Sequence, residues 1–255
     1  DAVKIKDILQ RDPATHPLVN QGQARIADTA SEQALEELRG ELSTFVCEGQ
    51  YADGIEKIIR SYLDNQSKSS QRAAWVSGFF GSGKSHVLKM LCHLWMDTAL
   101  PGGATARSLV PNIPEELVSR LRELDIAGRR SGGLLAAAGS LPSGTTDHVR
   151  LTILAIILRA AGLPTFYPQA RFCLWLHQLG KYEAVRKAVE AAGKPFAGAL
   201  NNLYVSGEIA KAVMAAEPGF AESEAKAKQL LIAQFPQPKT DITTEEFLRI
   251  TKEAL

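Results

Sequence analysis

The feature that most constrains this chain is the run Gly78-Phe79-Phe80-Gly81-Ser82-Gly83-Lys84-Ser85, which meets the pattern G-x-x-x-x-G-K-[ST] at every fixed position. Its neighbours add to the constraint. Residues 73–77 (Ala-Ala-Trp-Val-Ser) form a short apolar run with the character of a buried strand. Beyond the glycines, Val87, Leu88, Met90, Leu91, Leu94 and Trp95 recur at helical spacing. Strand, glycine turn and helix in that order predict a loop whose backbone amides converge on phosphate. Glycines at 81 and 83 let successive N–H groups bend inward into an anion nest. The helix that follows offers its unpaired N-terminal N–H groups and the positive end of its dipole. Lys84 supplies a mobile point charge for the β- and γ-phosphates. The Ser85 hydroxyl is a hard oxygen ligand of the kind Mg²⁺ takes. The expected binding residues are Gly78, Gly81, Ser82, Gly83, Lys84, Ser85 and His86. The expected ligands are ATP or ADP with Mg²⁺, and Ser85 is the expected metal ligand.

The rest of the chain supplies the fold expectation. Ser31 caps a helical pattern over 31–45 carried by Ala34, Leu35, Leu38, Leu42 and Phe45. Ile55, Ile58, Ile59, Tyr62 and Leu63 mark a second helix. After the loop and its helix, 101–111 reads as a loop and 115–124 as a helix with Leu117, Leu121 and Leu124 on one face. Gly132-Gly133-Leu134-Leu135-Ala136-Ala137-Ala138 reads as a second buried strand, and Asp147 as the cap of a helix over 148–161. This β-α-β-α order predicts an α/β chain: a P-loop NTPase core, three layers around a parallel sheet with crossover helices, incomplete within these residues. From 169 onward only helices are expected. Phe172, Trp175, Leu176 and Leu179 share a face that Gly180 closes. Residues 182–192, 207–215 and 222–233 follow, and Thr243-x-x-Glu246 opens the last helix as a capping box. The expected division is 1–70 for the N-terminal segment and its helices, 71–164 for the nucleotide-binding core and 165–255 for the helical region.

Composition excludes several classes. With 29 basic and 28 acidic residues the net charge is +1, which gives no global attraction to nucleic acid or a membrane surface. At 45% hydrophobic and 22% charged residues the chain is not a disordered one. The most apolar run, 153–158, falls far short of the roughly 20 residues of a membrane span. Residues 1–10 carry no signal-peptide core. Cys47, Cys92 and Cys173 are far apart and form no C-x-x-C pair, so neither a disulfide framework nor a zinc site is expected, and a reducing cytoplasm fits. His86 suits packing on the loop's helix as well as a phosphate contact. His93 and His177 read as partly buried core residues, Arg129-Arg130 as a solvated face, and Phe172 with Trp175 as core.

Hydrolysis needs an acid at the end of a second apolar strand. Of Asp97, Asp125, Asp147 and Asp241, none follows four apolar residues; the second strand candidate runs into Gly139-Ser140 without an acid. No catalytic residue is therefore assigned. The expectation is nucleotide binding with little turnover by this chain alone, the acid lying beyond residue 255.

Three stretches carry a family resemblance. Trp75-Val76-Ser77-Gly78-Phe79-Phe80-Gly81-Ser82-Gly83-Lys84-Ser85-His86 closely resembles the loop W-[IV]-S-G-F-[FY]-G-S-G-K-S-H of the P-loop proteins of bacterial phage-exclusion systems, the BrxC/PglY group of the BREX family. Lys4-Ile5-Lys6-Asp7-Ile8-Leu9-Gln10-Arg11-Asp12 is similar to that family's K-I-x-D-I-F-x-x-D. Gly180-Lys181-Tyr182-Glu183 is similar to its E-x-G-K-Y-E. One departure concerns the acid: where the family reads F-N-I-D-S, Leu135-Ala136-Ala137-Ala138-Gly139-Ser140 has no aspartate. The resemblance implies an N-terminal piece of a larger AAA+-like ATPase serving a cytoplasmic anti-phage defence complex. Other subunits of that complex would be partners, with homo-oligomeric assembly, indirect association with DNA and no membrane. It also implies that the segment 43–51 sits near the adenine. The alternative is a nucleotide-responsive interaction or scaffold domain that binds without hydrolysis.

Overall fold

Helical periodicity decides the architecture. The computed structural model describes residues 31–68, 73–142 and 146–255, and among these every regular element is helical. The chain divides into two compact units, the first ending at Gly139 and the second comprising Ser140–Leu255.

In the first unit, Ser31 Oγ accepts the Ala34 amide at 3.2 Å and starts α1, Glu32–Thr44. Leu38 and Leu42, four apart, turn one face of α1 inward. An extended link at 45–48 leads into α2, Gly49–Leu63, which buries Ala52, Ile55 and Ile59. The glycine loop then opens α3, Lys84–Met96, with Val87, Met90 and Leu94 buried. The stretch expected as plain loop holds α4, Ala106–Leu109, closed at its start by a reciprocal Thr105–Ser108 capping box. Next, α5, Glu115–Arg130, lies along α2 and buries Leu117, Leu121 and Leu124. Glu115 and Glu116 in its first turn and Arg129 and Arg130 in its last both complement the helix dipole. The inward faces of these helices form one apolar cluster, to which Phe45, Cys47, Leu100 and Val110 add from the connections.

The expected α/β core with a parallel sheet is not what forms. Residues 73–79 and 133–142 form no regular element, and neither belongs to a strand. The isolated antiparallel bridge between Ala99 and Thr105 closes a local turn and builds no sheet. The reason is physical: a strand exists only through a neighbour's ladder, and among the described residues neither run has one. Trp75 is 92% and Phe79 90% exposed, so the first run is also not covered by a helix layer. The second run touches the core through Leu134 and donates the Ala136 amide to Met96 Sδ at 3.2 Å.

The second unit has the expected helices. It comprises α6 Val149–Ala160, α7 Tyr167–Gln178, α8 Tyr182–Ala191, α9 Phe196–Leu200, α10 Gly207–Ala216, α11 Glu224–Gln234 and α12 Thr244–Ala254. Phe172, Trp175, Phe220 and Phe235 form an aromatic group with ring centroids 5.6 to 6.0 Å apart. That spacing suits edge and tilted packing, and the group bears out the core reading of Phe172 and Trp175. A second apolar cluster joins Leu154 and Leu158 of α6 to Leu174, Ile242 and Ile250. Two details differ from expectation. The amides of Arg150 and Leu151 at the start of α6 donate to Asp241, each at 3.0 Å, so the capping carboxylate comes from far along the chain and not from Asp147. Thr243 does cap α12 through the Glu246 amide at 3.1 Å, but Glu246 turns away to accept from the Tyr167 hydroxyl and from Arg249.

Candidate phosphate-binding loop

The loop is shaped by two left-handed glycines. Gly81 has φ 81° and Gly83 φ 78°, conformations that cost an L-residue strain and cost glycine none. Gly83 is also the N-cap of α3 and has no side chain with which to cap it. Only two backbone hydrogen bonds close the turn: Ser82 N–H to Phe79 O at 3.2 Å and Val87 N–H to Gly83 O at 2.9 Å. Among the described residues the amides of Gly83, Lys84, Ser85 and His86 therefore have no acceptor. These are the unpaired donors that every helix start presents.

Lys84 folds back into the turn. Its Nζ donates to Phe79 O at 2.6 Å and to Gly78 O at 3.0 Å, and stands 3.5 Å from Ser82 Oγ. The ammonium is thus held within the turn, on the carbonyls of Gly78 and Phe79. Gly78 is closely approached: a Cβ there would lie 2.7 Å from Ser82 Oγ, so the serine side chain would have to turn. Ser85 is exposed on the first turn of α3. The arrangement combines several amide donors with one cation and presents them to solvent. Chemically it suits a compact, multiply charged anion, and phosphate is the common one.

Behind the loop lies the link between α1 and α2. The Phe45 ring meets the His86 ring edge-on, centroids 5.6 Å apart. Tyr51, tilted against Phe45 at 6.5 Å, donates its hydroxyl to Ser82 O at 3.2 Å. Burial holds the His86 imidazole below its ordinary pKa; Lys89 adds to this and Glu41 opposes it. His86 therefore packs as a half-buried neutral ring, in line with the packing role.

The other singled-out residues separate clearly. His93 is buried, with Nδ1 3.0 Å from Thr98 Oγ1. His177 is exposed and stacks on Tyr182 at 4.0 Å, so its expected core role is corrected. Arg129 and Arg130 are exposed, as a solvated face should be. Asp97 accepts the Arg107 amide, Asp125 binds the Arg107 guanidinium, Asp147 pairs with Thr146 and Asp241 caps α6. Among the described residues no carboxylate bonds to the loop, and no cluster of three metal-ligating side chains exists. No helix among them is long and apolar enough to cross a membrane. The stretch at 4–12 lies outside the described residues. Sequence reading missed the hydroxyl contact of Tyr51 and the burial of Lys89 with Glu41; nothing in one sequence marks which side chains meet across helices. Comparison of the chain with family models, curated proteins and solved structures found no match.

Proposed function

We propose that residues 78–86 bind the phosphates of ATP together with Mg²⁺, and that the chain is a nucleotide-binding module. One observation carries this reading: four consecutive amides, Gly83 to His86, have no acceptor among the described residues at the start of α3, whose first residue, Lys84, folds its ammonium back onto the turn. Gly81, Ser82 and Gly83 shape the cradle, and Gly78 leaves it room to close. The Ser85 hydroxyl is the oxygen that would hold Mg²⁺, whose part would be to neutralise phosphate charge. Calorimetric titration with Mg-ATP tests the reading. Binding is expected for the native chain and loss of it for Lys84→Ala; unchanged affinity in the variant defeats the assignment.

The resemblance of residues 75–86 to the BREX loops supports a wider proposal. The chain would serve a cytoplasmic anti-phage defence ATPase, with other subunits of that complex as partners, its own copies among them, and DNA reached indirectly. Hydrolysis would then depend on an acid outside these residues. A second reading, a nucleotide-responsive interaction module that never hydrolyses, is favoured by the lack of any carboxylate bonded to the loop among the described residues. Steady phosphate release by this chain, abolished in Lys84→Ala, would exclude it.

A further inference from the structure

The loop has one tether from outside. Among the described residues the hydrogen bonds of 78–85 run within the loop and its helix, apart from one: the Tyr51 hydroxyl on Ser82 O at 3.2 Å. Residues 73–79, which enter the loop, form no strand and have no ladder to fix them among the described residues. Without such a ladder, they do not set the loop's shape. Ser82 O belongs to the peptide whose nitrogen is that of Gly83, the left-handed residue from which the open amides begin. The Tyr51 oxygen also lies 3.3 Å from where a Gly83 Cβ would stand, so the contact spans that peptide. Tyr51 is 42% exposed and lies on the first turn of α2, while Phe45 carries the same link onto His86 at the other end of the open amides.

We propose that Tyr51 is a positioning residue: its hydroxyl fixes the Ser82–Gly83 peptide, and so sets the aim of the phosphate donors and the affinity for the triphosphate part of a nucleotide. This rests on the phosphate-binding reading but makes a separate claim about it. Tyr51 acts on the cradle through Ser82, and neither the base nor the ribose is its partner.

The test compares Tyr51→Phe with the native chain, because only the hydroxyl is lost and the ring still packs on Phe45. Two probes are titrated in the presence of Mg²⁺: ATP and inorganic tripolyphosphate. Both affinities are expected to fall by about three- to tenfold, roughly 0.7–1.4 kcal/mol at 1.4 kcal/mol per tenfold, the range of one hydrogen bond. The thermal midpoint should not move. A fall for ATP with no change for tripolyphosphate would place Tyr51 on the base or ribose and overturn the proposal, as would no change for either. Backbone order parameters of residues 80–83, measured by ¹⁵N relaxation without ligand, decide the matter independently. They are expected to drop in Tyr51→Phe, and unchanged values overturn the tether. If the native chain binds neither probe, the phosphate reading fails, and with it the claimed effect on affinity. The relaxation measurement then still decides whether Tyr51 holds the loop.

Discussion

Lys89 Nζ stands 2.5 Å from Glu41 Oε2, and both side chains are almost wholly buried, at 5% and 3% exposure. The pair joins α1 to α3, the helix that the glycine loop opens, one turn below His86. Two charges taken out of water cost several kcal/mol each, which their mutual attraction only partly returns. Removing Glu41 leaves the buried Lys89 charge without this carboxylate. Glu41→Leu alone is expected to destabilise the first unit by about 3–5 kcal/mol in denaturant unfolding. Adding Lys89→Met should recover part of that loss. A double variant no more stable than Glu41→Leu would refute the ion pair as the source of the cost.

His93, one turn further along α3, gives the unit a pH dependence. Burial pushes its pKa from 6.5 down to about 4; the Lys89 charge adds to the shift and Glu41 opposes it. The unfolded chain thus takes up a proton near pH 6.5 that the folded chain refuses until about pH 4. Stability is full above pH 6.5 and falls as the pH drops through that window, by about 3 kcal/mol in all. Unfolding midpoints measured from pH 7.5 to 4 should show this slope, and His93→Gln should flatten it. An unchanged slope in the variant would assign it to other groups.

How far the sequence revealed the molecule depends on what each signal encodes. Leu38 with Leu42, or Leu117, Leu121 and Leu124, repeat at the helical period, and that pattern carries its own answer because a helix satisfies its backbone from within. Residues 73–77 and 134–138 were just as apolar, but a strand depends on a partner that no local run names, and these two have none among the described residues. The loop was legible because its glycines and Lys84 act within a few residues of one another. The Asp241 cap of α6 was not, since Asp147 sat at the expected offset while the carboxylate that reaches the amides lies some ninety residues on. Tyr51 fell inside the stretch singled out at 43–51, but its bond to Ser82 O is a fact of packing.

The tight closure of the loop yields a prediction at Gly78. A methyl group there would meet Ser82 Oγ at 2.7 Å and force that side chain to turn. An off-rotamer side chain costs about 0.5–1.5 kcal/mol. Gly78→Ala should therefore weaken Mg-ATP binding by roughly three- to tenfold while the thermal midpoint stays put, the loop being exposed. Removing the obstructing hydroxyl should restore it: Gly78→Ala with Ser82→Ala is expected to bind more tightly than Gly78→Ala alone. A double variant weaker than the single would show that the Ser82 hydroxyl matters for more than its bulk.

Arg107 locks the far end of α3 to its neighbours. Its guanidinium donates to both oxygens of Asp125 on α5, at 2.6 and 3.0 Å. It also donates to Leu94 O at 2.7 Å and Trp95 O at 3.1 Å, two carbonyls in the last turn of α3. Its own backbone amide is held by Asp97, which leaves α3 in the left-handed conformation at φ 45°. A planar fork with five donors fits this geometry, and an ammonium reaches only part of it. The side chain is 15% exposed, so the carbonyls it serves would be poorly hydrated without it. Arg107→Ala is expected to cost about 2–4 kcal/mol, and Arg107→Lys more than half as much, in spite of the retained charge. Urea unfolding of the three chains measures the difference. If Arg107→Lys matched the native stability, charge alone would account for the contact, and the forked geometry would have no part in holding α3 to α5.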